Sequence, residues 1–517
     1  MVLHRYLVAF IAFVLTNTLV AAQRRPAASE SAIQRLADGR PNLQGIWQAT
    51  STAAVDLQDH AASLNMPAGR SVLTGGTAIP YQPWAAAHRA ENFRNRLKDD
   101  PLNQCYMPGT PRIMYMDFPF QIFQTPNAIA VTFAWSQMYR LIYTNGHPHA
   151  TDVTDMWMGD SRGHWEGDTL VVDVRNYNDK TWFDMAGDFH SDALHMVERY
   201  RMTAPDTIQY DATIEDSKVF TKPWTISVAL HRRTDLDRLY EYVCQAEVEE
   251  TNGAFTREAR TWYPGDGTTP AAMPIPTQAS HVVANVTANI RRTANGKPDL
   301  QGFYESKTSG ANQGLQREGR RPGIIVDPPD GKLPLLPWAA AETVSRNLPE
   351  RGYDDPTAHC FPAGVPRSMY VPAAFHIIQT PEHIVFLHER MSWRIVPLDE
   401  RPHLPDTIRL WQGDSLGRWE GDTLVIDTTN LNGKTWLNEA GEFVSYVEHV
   451  VERITPTGPD TLRYQATVAD PVAYARPWTI AFPIQRETFE MYESTCHETD
   501  HDLPHLKAIK DAAATKK

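Results

Sequence analysis

Apolar and polar residues alternate with period two over many short segments of this chain, and turn-forming residues separate them. Residues 207–215 show the pattern plainly: Ile208, Tyr210, Ala212 and Ile214 alternate with polar positions, as in a strand with one buried face. In the first half the pattern predicts strands at 45–50, 120–124, 129–134, 138–144, 169–174, 195–202, 207–215, 225–231 and 239–245. Residues 84–97 read as a short helix and 178–191 as a loop, and Pro205-Asp206 and Glu166-Gly167-Asp168 carry turn chemistry. About eight antiparallel strands in sequence order predict an up-and-down β-barrel or a curled β-sandwich.

The whole set then returns. Gly39-Arg40-Pro41-Asn42-Leu43-Gln44-Gly45-Ile46-Trp47 recurs as Gly296-Lys297-Pro298-Asp299-Leu300-Gln301-Gly302-Phe303-Tyr304. Trp165-Glu166-Gly167-Asp168-Thr169-Leu170-Val171 recurs as Trp419-Glu420-Gly421-Asp422-Thr423-Leu424-Val425, and Pro223-Trp224-Thr225-Ile226 as Pro477-Trp478-Thr479-Ile480. The offset stays between 252 and 257. A period this long means a tandem duplication of two whole domains, because solenoid units repeat every 20–50 residues or so. We read a signal peptide over 1–22, a first β domain over 37–263, a Pro-rich linker over 264–292, a second β domain over 293–503 and a disordered tail over 504–517.

Two resemblances follow from these motifs. Gly45-Ile46-Trp47 resembles the Gly-x-Trp of the first strand in lipocalins and their calycin relatives, although copy two has Tyr304 where Trp would stand. The segments 164–174, 178–183, 190–200, 223–225 and 241–244 resemble a family of exported bacterial proteins marked by G-R-W-E-G-D-T-L-V-V-D-T. The second resemblance spans nearly all of both copies. It implies export and a shared fold and supplies no mechanism.

Charge and cysteine usage narrow the classes. The net charge is -13, and loss of 1–22, which hold Arg5 and no acid, makes it -14. That argues against nucleic acid or an anionic membrane as partner. Residues 1–22 have the grammar of a cleaved export signal, and no later run is long and apolar enough to span a bilayer, so the mature protein is expected in the periplasm or outside the cell. The four cysteines obey the repeat: Cys105 matches Cys360 and Cys244 matches Cys496. Export permits disulfides, and pairing within each copy, Cys105 to Cys244 and Cys360 to Cys496, lets each copy close on itself. There is no P-loop, dinucleotide glycine fingerprint or Cys-x-x-Cys, so no organic cofactor is expected, and no metal-ligand motif recurs.

Candidate chemistry centres on one strand. Alternation in His195-Met196-Val197-Glu198-Arg199-Tyr200 puts Glu198 between Met196 and Tyr200 on one face, and Glu452 has the same place in copy two. A buried acid needs a cation or a donor, and Arg140 and Arg394 are the predicted partners. The alternative is that Glu198 acts as a general acid or base, with Arg140 beside it and with His190 and His195 as further catalytic candidates in copy one. Asp192 stands between those histidines, whereas copy two has Val444 and Tyr446 in place of His190 and Asp192. Tyr115, Tyr139, Tyr200, Tyr210 and Trp224, with Glu452 and Arg394 in copy two, are the candidate ligand-binding residues of an aromatic-lined barrel cavity. Three functions stay open: binding of a small, mostly apolar molecule; a cofactor-independent hydratase, isomerase or cyclase; and an envelope interaction protein.

Overall fold

A computed structural model describes residues 32–515, apart from 77, 152–154, 254–270, 276–288, 309, 311–313, 318, 320–322, 391, 495 and 497–500. The signal segment and most of the linker read from the sequence lie outside the described residues.

Copy one is a closed barrel. Its strands are β1 (Gly45–Ala49), β2 (Leu73–Thr74), β3 (Phe120–Gln124), β4 (Ala128–Phe133), β5 (Tyr139–Tyr143), β6 (Asp160–Glu166), β7 (Thr169–Arg175), β8 (His195–Ala204), β9 (Thr207–Glu215) and β10 (Trp224–Arg232). They pair in sequence order from β3 to β10, β1 bridges β3 and β10 to close the ring, and β2 lies outside it on β10. Copy two repeats this with β11 (Gly302–Ser306), β12 (Ile325–Asp327), β13 (Ala374–Gln379), β14 (His383–His388), β15 (Ser392–Pro397), β16 (Asp414–Glu420), β17 (Thr423–Thr429), β18 (His449–Pro456), β19 (Thr461–Ala469) and β20 (Trp478–Glu487). Its sheet runs from β15 through β14, β13, β11, β20, β19, β18 and β17 to β16, which leaves the ring nearly closed.

Four sequence expectations change. Strand β6 is additional: its polar residues and Gly163 hide the alternation, and Gly163 is required because a Cβ there would meet the Ile142 side chain at 2.9 Å. Strand β6 also pairs parallel to β5, so the barrel is not antiparallel throughout. The strand expected at 239–245 is absent. Strand β10 already closes on β1, no edge of the ring remains among the described residues, and the chain instead enters a helix at Cys244–Thr251. The tail expected to be disordered forms a helix at Leu503–Ala514, with Pro504 in its first turn and an Ala-rich end. That helix packs on the turn Pro349–Asp354, where Lys510 pairs with Asp354 at 2.7 Å and lies over the Tyr353 ring.

The Gly-x-Trp start of β1 has a steric cause. Gly45 has φ +129°, and a Cβ on it would collide with the Arg232 guanidinium, which lies 4.2 Å from the centre of the Trp47 ring and donates to the Gln44 carbonyl at 2.6 Å. Gly302, Arg486 and Tyr304 repeat the arrangement, so either aromatic serves beneath the cation. Inside each barrel the alternating residues pack as predicted: Leu170, Val172, Leu424 and Ile426 are all buried behind the Trp-Glu-Gly-Asp turns. Both disulfides form within their copies, Cys105–Cys244 and Cys360–Cys496.

The outer faces of β3, β4 and β5 are buried as well, because the barrels pack side by side through them. Phe123, Ala130 and Tyr139 meet Ile378, Val385, Leu387 and Trp393 in one apolar cluster. Its edges are tied reciprocally: the Tyr139 hydroxyl donates to the His388 carbonyl at 3.0 Å, and Trp393 Nε1 donates to the Phe133 carbonyl at 2.9 Å.

Candidate functional site

Inside the first barrel the predicted acid finds its predicted partner. Strand β8 turns Glu198 inward, β5 turns Arg140 inward, and the two form a two-pronged pair at 2.5 and 2.9 Å with both side chains fully buried. Tyr210, one strand over on β9, donates to the same carboxylate at 2.6 Å, Tyr200 lies at 3.2 Å, and Arg140 Nε donates to Ser161 Oγ at 2.9 Å. Burial and the adjacent carboxylate push both tyrosine hydroxyls well above their ordinary pKa. Copy two repeats the core of this network: Arg394 pairs with Glu452, and Tyr464 donates to Glu452 at 2.8 Å. Such a cluster holds strands together, and every oxygen of Glu198 is engaged.

The other sequence candidates scatter. His190 is buried in the loop after β7, with Nε2 2.6 Å from Thr181 Oγ1 and Nδ1 2.9 Å from the Ser191 carbonyl, and burial lowers its pKa. His195 lies on the outer face of the barrel against Asp173, and Asp192 pairs with Lys218 at the surface, so the three do not form one site. Tyr115 donates to the Phe183 carbonyl at 2.9 Å, and Trp224 packs edge-on against Phe183 and Phe220 at the barrel end. Tyr139 belongs to the inter-copy cluster, not to a barrel cavity, because it points outward from the strand that turns Arg140 inward. Of the named residues, only Glu198, Arg140, Tyr200 and Tyr210 meet, with Glu452 and Arg394 meeting in copy two.

On the outer face a second motif recurs. His149 bridges Asp160 at 3.0 Å and Asp173 at 2.7 Å, and His195 adds to Asp173 at 2.7 Å. In copy two His403 bridges Asp414 and Asp427, and His449 adds to Asp427. Burial works against the charges, yet Arg175, His195 and His149 hold Asp173 down to about 2, and Asp414 and Asp427 raise His403 to about 9. The recurring spacing of these histidines marks them in the sequence; their acidic partners come from distant strands.

A solvent-open recess lies at the seam. After β10 the first copy's chain crosses onto the second, where Glu241 accepts the backbone N–H of Trp411 at 2.7 Å and of Gln412 at 3.0 Å. The helix Cys244–Thr251 follows, placing Ala246 against Phe361 and Trp411, and Glu250 beside Lys434. Between this helix and residues 406–411 is a cleft of about 600 Å³, lined by Glu241, Tyr242, Arg409, Trp411, Lys434 and Tyr446 among others. Lys434 lies over the Trp411 ring, and desolvation pushes the Glu241 carboxyl up to about 7. Sequence reasoning missed this cleft because it read 239–245 as a strand of the first barrel.

A third cluster caps the first barrel. Asp56, Asp184 and Asp188 come from two loops, are all buried, and each brings a carboxylate oxygen within 4.8 Å of the other two. Arg89, from the helix Pro83–Asp99, pairs with Asp188 at 2.9 Å and with Asp56 at 3.3 Å.

Comparison of the chain with protein families, with curated proteins and with solved structures finds no match.

Proposed function

We propose that this chain binds a small molecule in the seam cleft, with the two barrels as its scaffold. The observation that carries the reading is a recess of about 600 Å³ to which both copies contribute, a size within the roughly 300–1,000 Å³ of small-molecule sites. Its lining sets aromatic faces beside charged groups. The ligand class that fits is therefore an amphiphilic molecule with an aromatic or apolar body and a polar head, in place of the mostly apolar molecule expected for a barrel interior. The acid–base enzyme has less support, since Glu198 is held by Arg140, Tyr200 and Tyr210. Export to an oxidising compartment, as implied by the family resemblance, accords with the two disulfides.

The test is mass spectrometry of small molecules released from protein purified from its native host. A molecule enriched on the wild type and on Glu198→Gln, and lost from Arg409→Ala, is the expected result. Loss from Glu198→Gln with retention on Arg409→Ala would move the site into the barrel, and recovery of no molecule would refute the reading.

A further inference from the structure

The capping carboxylates have an imbalance that the duplication itself exposes. Asp184 is satisfied by backbone: its oxygens accept the N–H of Leu57 at 2.9 Å and of Asp188 at 3.0 Å. Asp56 accepts the N–H of Gln58 at 2.8 Å and faces Arg89. Asp188 Oδ1 accepts Tyr81 at 2.8 Å and Arg89 at 2.9 Å, but among the described residues no donor reaches Asp188 Oδ2, which is fully buried. When all three carboxylates are ionised, the single guanidinium of Arg89 leaves two negative charges uncompensated.

Copy two solves the same corner with amides. Asn438 stands where Asp184 does, Glu442 where Asp188 does, and Thr343 where Arg89 does. Asn438 Nδ2, Gln316 Nε2 at 2.9 Å and the N–H of Leu315 at 2.8 Å all donate to Glu442. The second carboxylate and its excess charge are gone, and neutral donors fill the place.

We propose that Asp56, Asp184 and Asp188 hold one divalent cation of the hard, oxygen-liganded kind, with Ca²⁺ as the leading ion. The charge of such an ion matches the deficit, and an ion gives Asp188 Oδ2 the partner it lacks. The spacing fits: ligands on opposite sides of Ca²⁺, at bonds of about 2.4 Å, stand about 4.8 Å apart, and the three carboxylates lie within 4.8 Å of one another. All donors are oxygens, which excludes the soft thiolate metals. The site joins the loop after β1 to the loop after β7, so its ion would fasten the first barrel's cap. It departs from the sequence expectation of no metal, because Asp56 is far in the chain from Asp184 and Asp188 and the three form no motif.

The test uses the full chain and the internal precedent of copy two. Protein purified without added metal is analysed for metal content, then dialysed against chelator and melted with and without CaCl₂ or MgCl₂. The expected results are about one Ca²⁺ per chain and not two, and a melting temperature that rises by roughly 2–4 °C at about a hundredfold excess over Kd. Asp184→Asn copies Asn438, supplies Asp188 with an amide donor and is expected to fold, to melt near the Ca²⁺-loaded wild type and to ignore added Ca²⁺. Coincident melts of the wild type in chelator, Ca²⁺ and Mg²⁺, with no bound metal, would overturn the proposal in favour of a proton shared among the acids. An undiminished Ca²⁺ response in Asp184→Asn would overturn it too, by placing the ion elsewhere.

Discussion

Glu241 and Glu493 hold equivalent places in the two copies, and each accepts backbone N–H groups from the other copy. Glu241 takes those of Trp411 and Gln412, and Glu493 takes those of Trp157 and Met158. Trp157 and Trp411 are themselves equivalent, so the contact is a pseudo-twofold exchange. Each copy's chain, once past its last barrel strand, reaches across to its neighbour. The duplication thus behaves as a covalent dimer with a self-complementary interface.

The seam is therefore expected to make the copies unfold together. Trp393→Ala removes an indole from the apolar cluster and a hydrogen bond to Phe133, at a cost of roughly 3–5 kcal/mol. A single calorimetric transition in the wild type that splits into two in Trp393→Ala is the expected outcome. Two transitions already in the wild type would contradict a cooperative seam.

Glu198→Gln and Glu452→Gln are expected to destabilise to a similar degree, roughly 3–5 kcal/mol, because each leaves a buried arginine without its counter-charge. Denaturant unfolding of the two variants measures this. A large cost for one and none for the other would show that the two pairs do different work.

Two glycines separate backbone strain from collision. Gly167 has φ +59° with open space around it, so Gly167→Val should cost about 1–2 kcal/mol from the left-handed backbone alone. Gly45→Ala should cost more, since its Cβ displaces Arg232 from the Trp47 face. Melting curves that rank the two in the opposite order would refute the stacking account.

Acid should weaken copy two through buried neutral histidines. Burial, aided by Arg486, lowers His376 to about 4, and burial, aided by Arg394, lowers His388 to about 3. Below the ordinary histidine pKa near 6.5 the unfolded chain takes up protons that the folded barrel refuses. Stability present above 6.5 is then lost as the pH falls, on the order of 3 kcal/mol per histidine near pH 4. Copy one has Gln121 and Phe133 at these positions. The double variant His376→Gln, His388→Phe should gain on the wild type steadily between pH 6.5 and 4 in denaturant titrations. A constant difference across that range would dismiss the histidines as the cause.

Much of this architecture is legible in the chain because its signals are local or repeated. Period-two alternation located most barrel strands, and it placed Glu198 and Arg140 on inward faces. The duplication paired the cysteines and supplied Glu452 and Arg394 as the second instance. Strand β6 escaped because Gly163 and its polar neighbours break the alternation. The false strand at 239–245 arose because alternation reports an amphipathic segment and does not say which surface covers it; here the covering surface is the other copy.

The sequence by itself determined two β domains, their register of duplication, their disulfides and the inward face of each central strand, since side-chain alternation and covalent spacing are properties of the chain. Only the tertiary structure decided that the first ring closes and the second nearly does, that Tyr139 faces the other barrel, that the seam carries a cleft, and that Asp56 meets Asp184 and Asp188. Those facts depend on which distant surfaces exclude water from one another, and no local pattern encodes that choice.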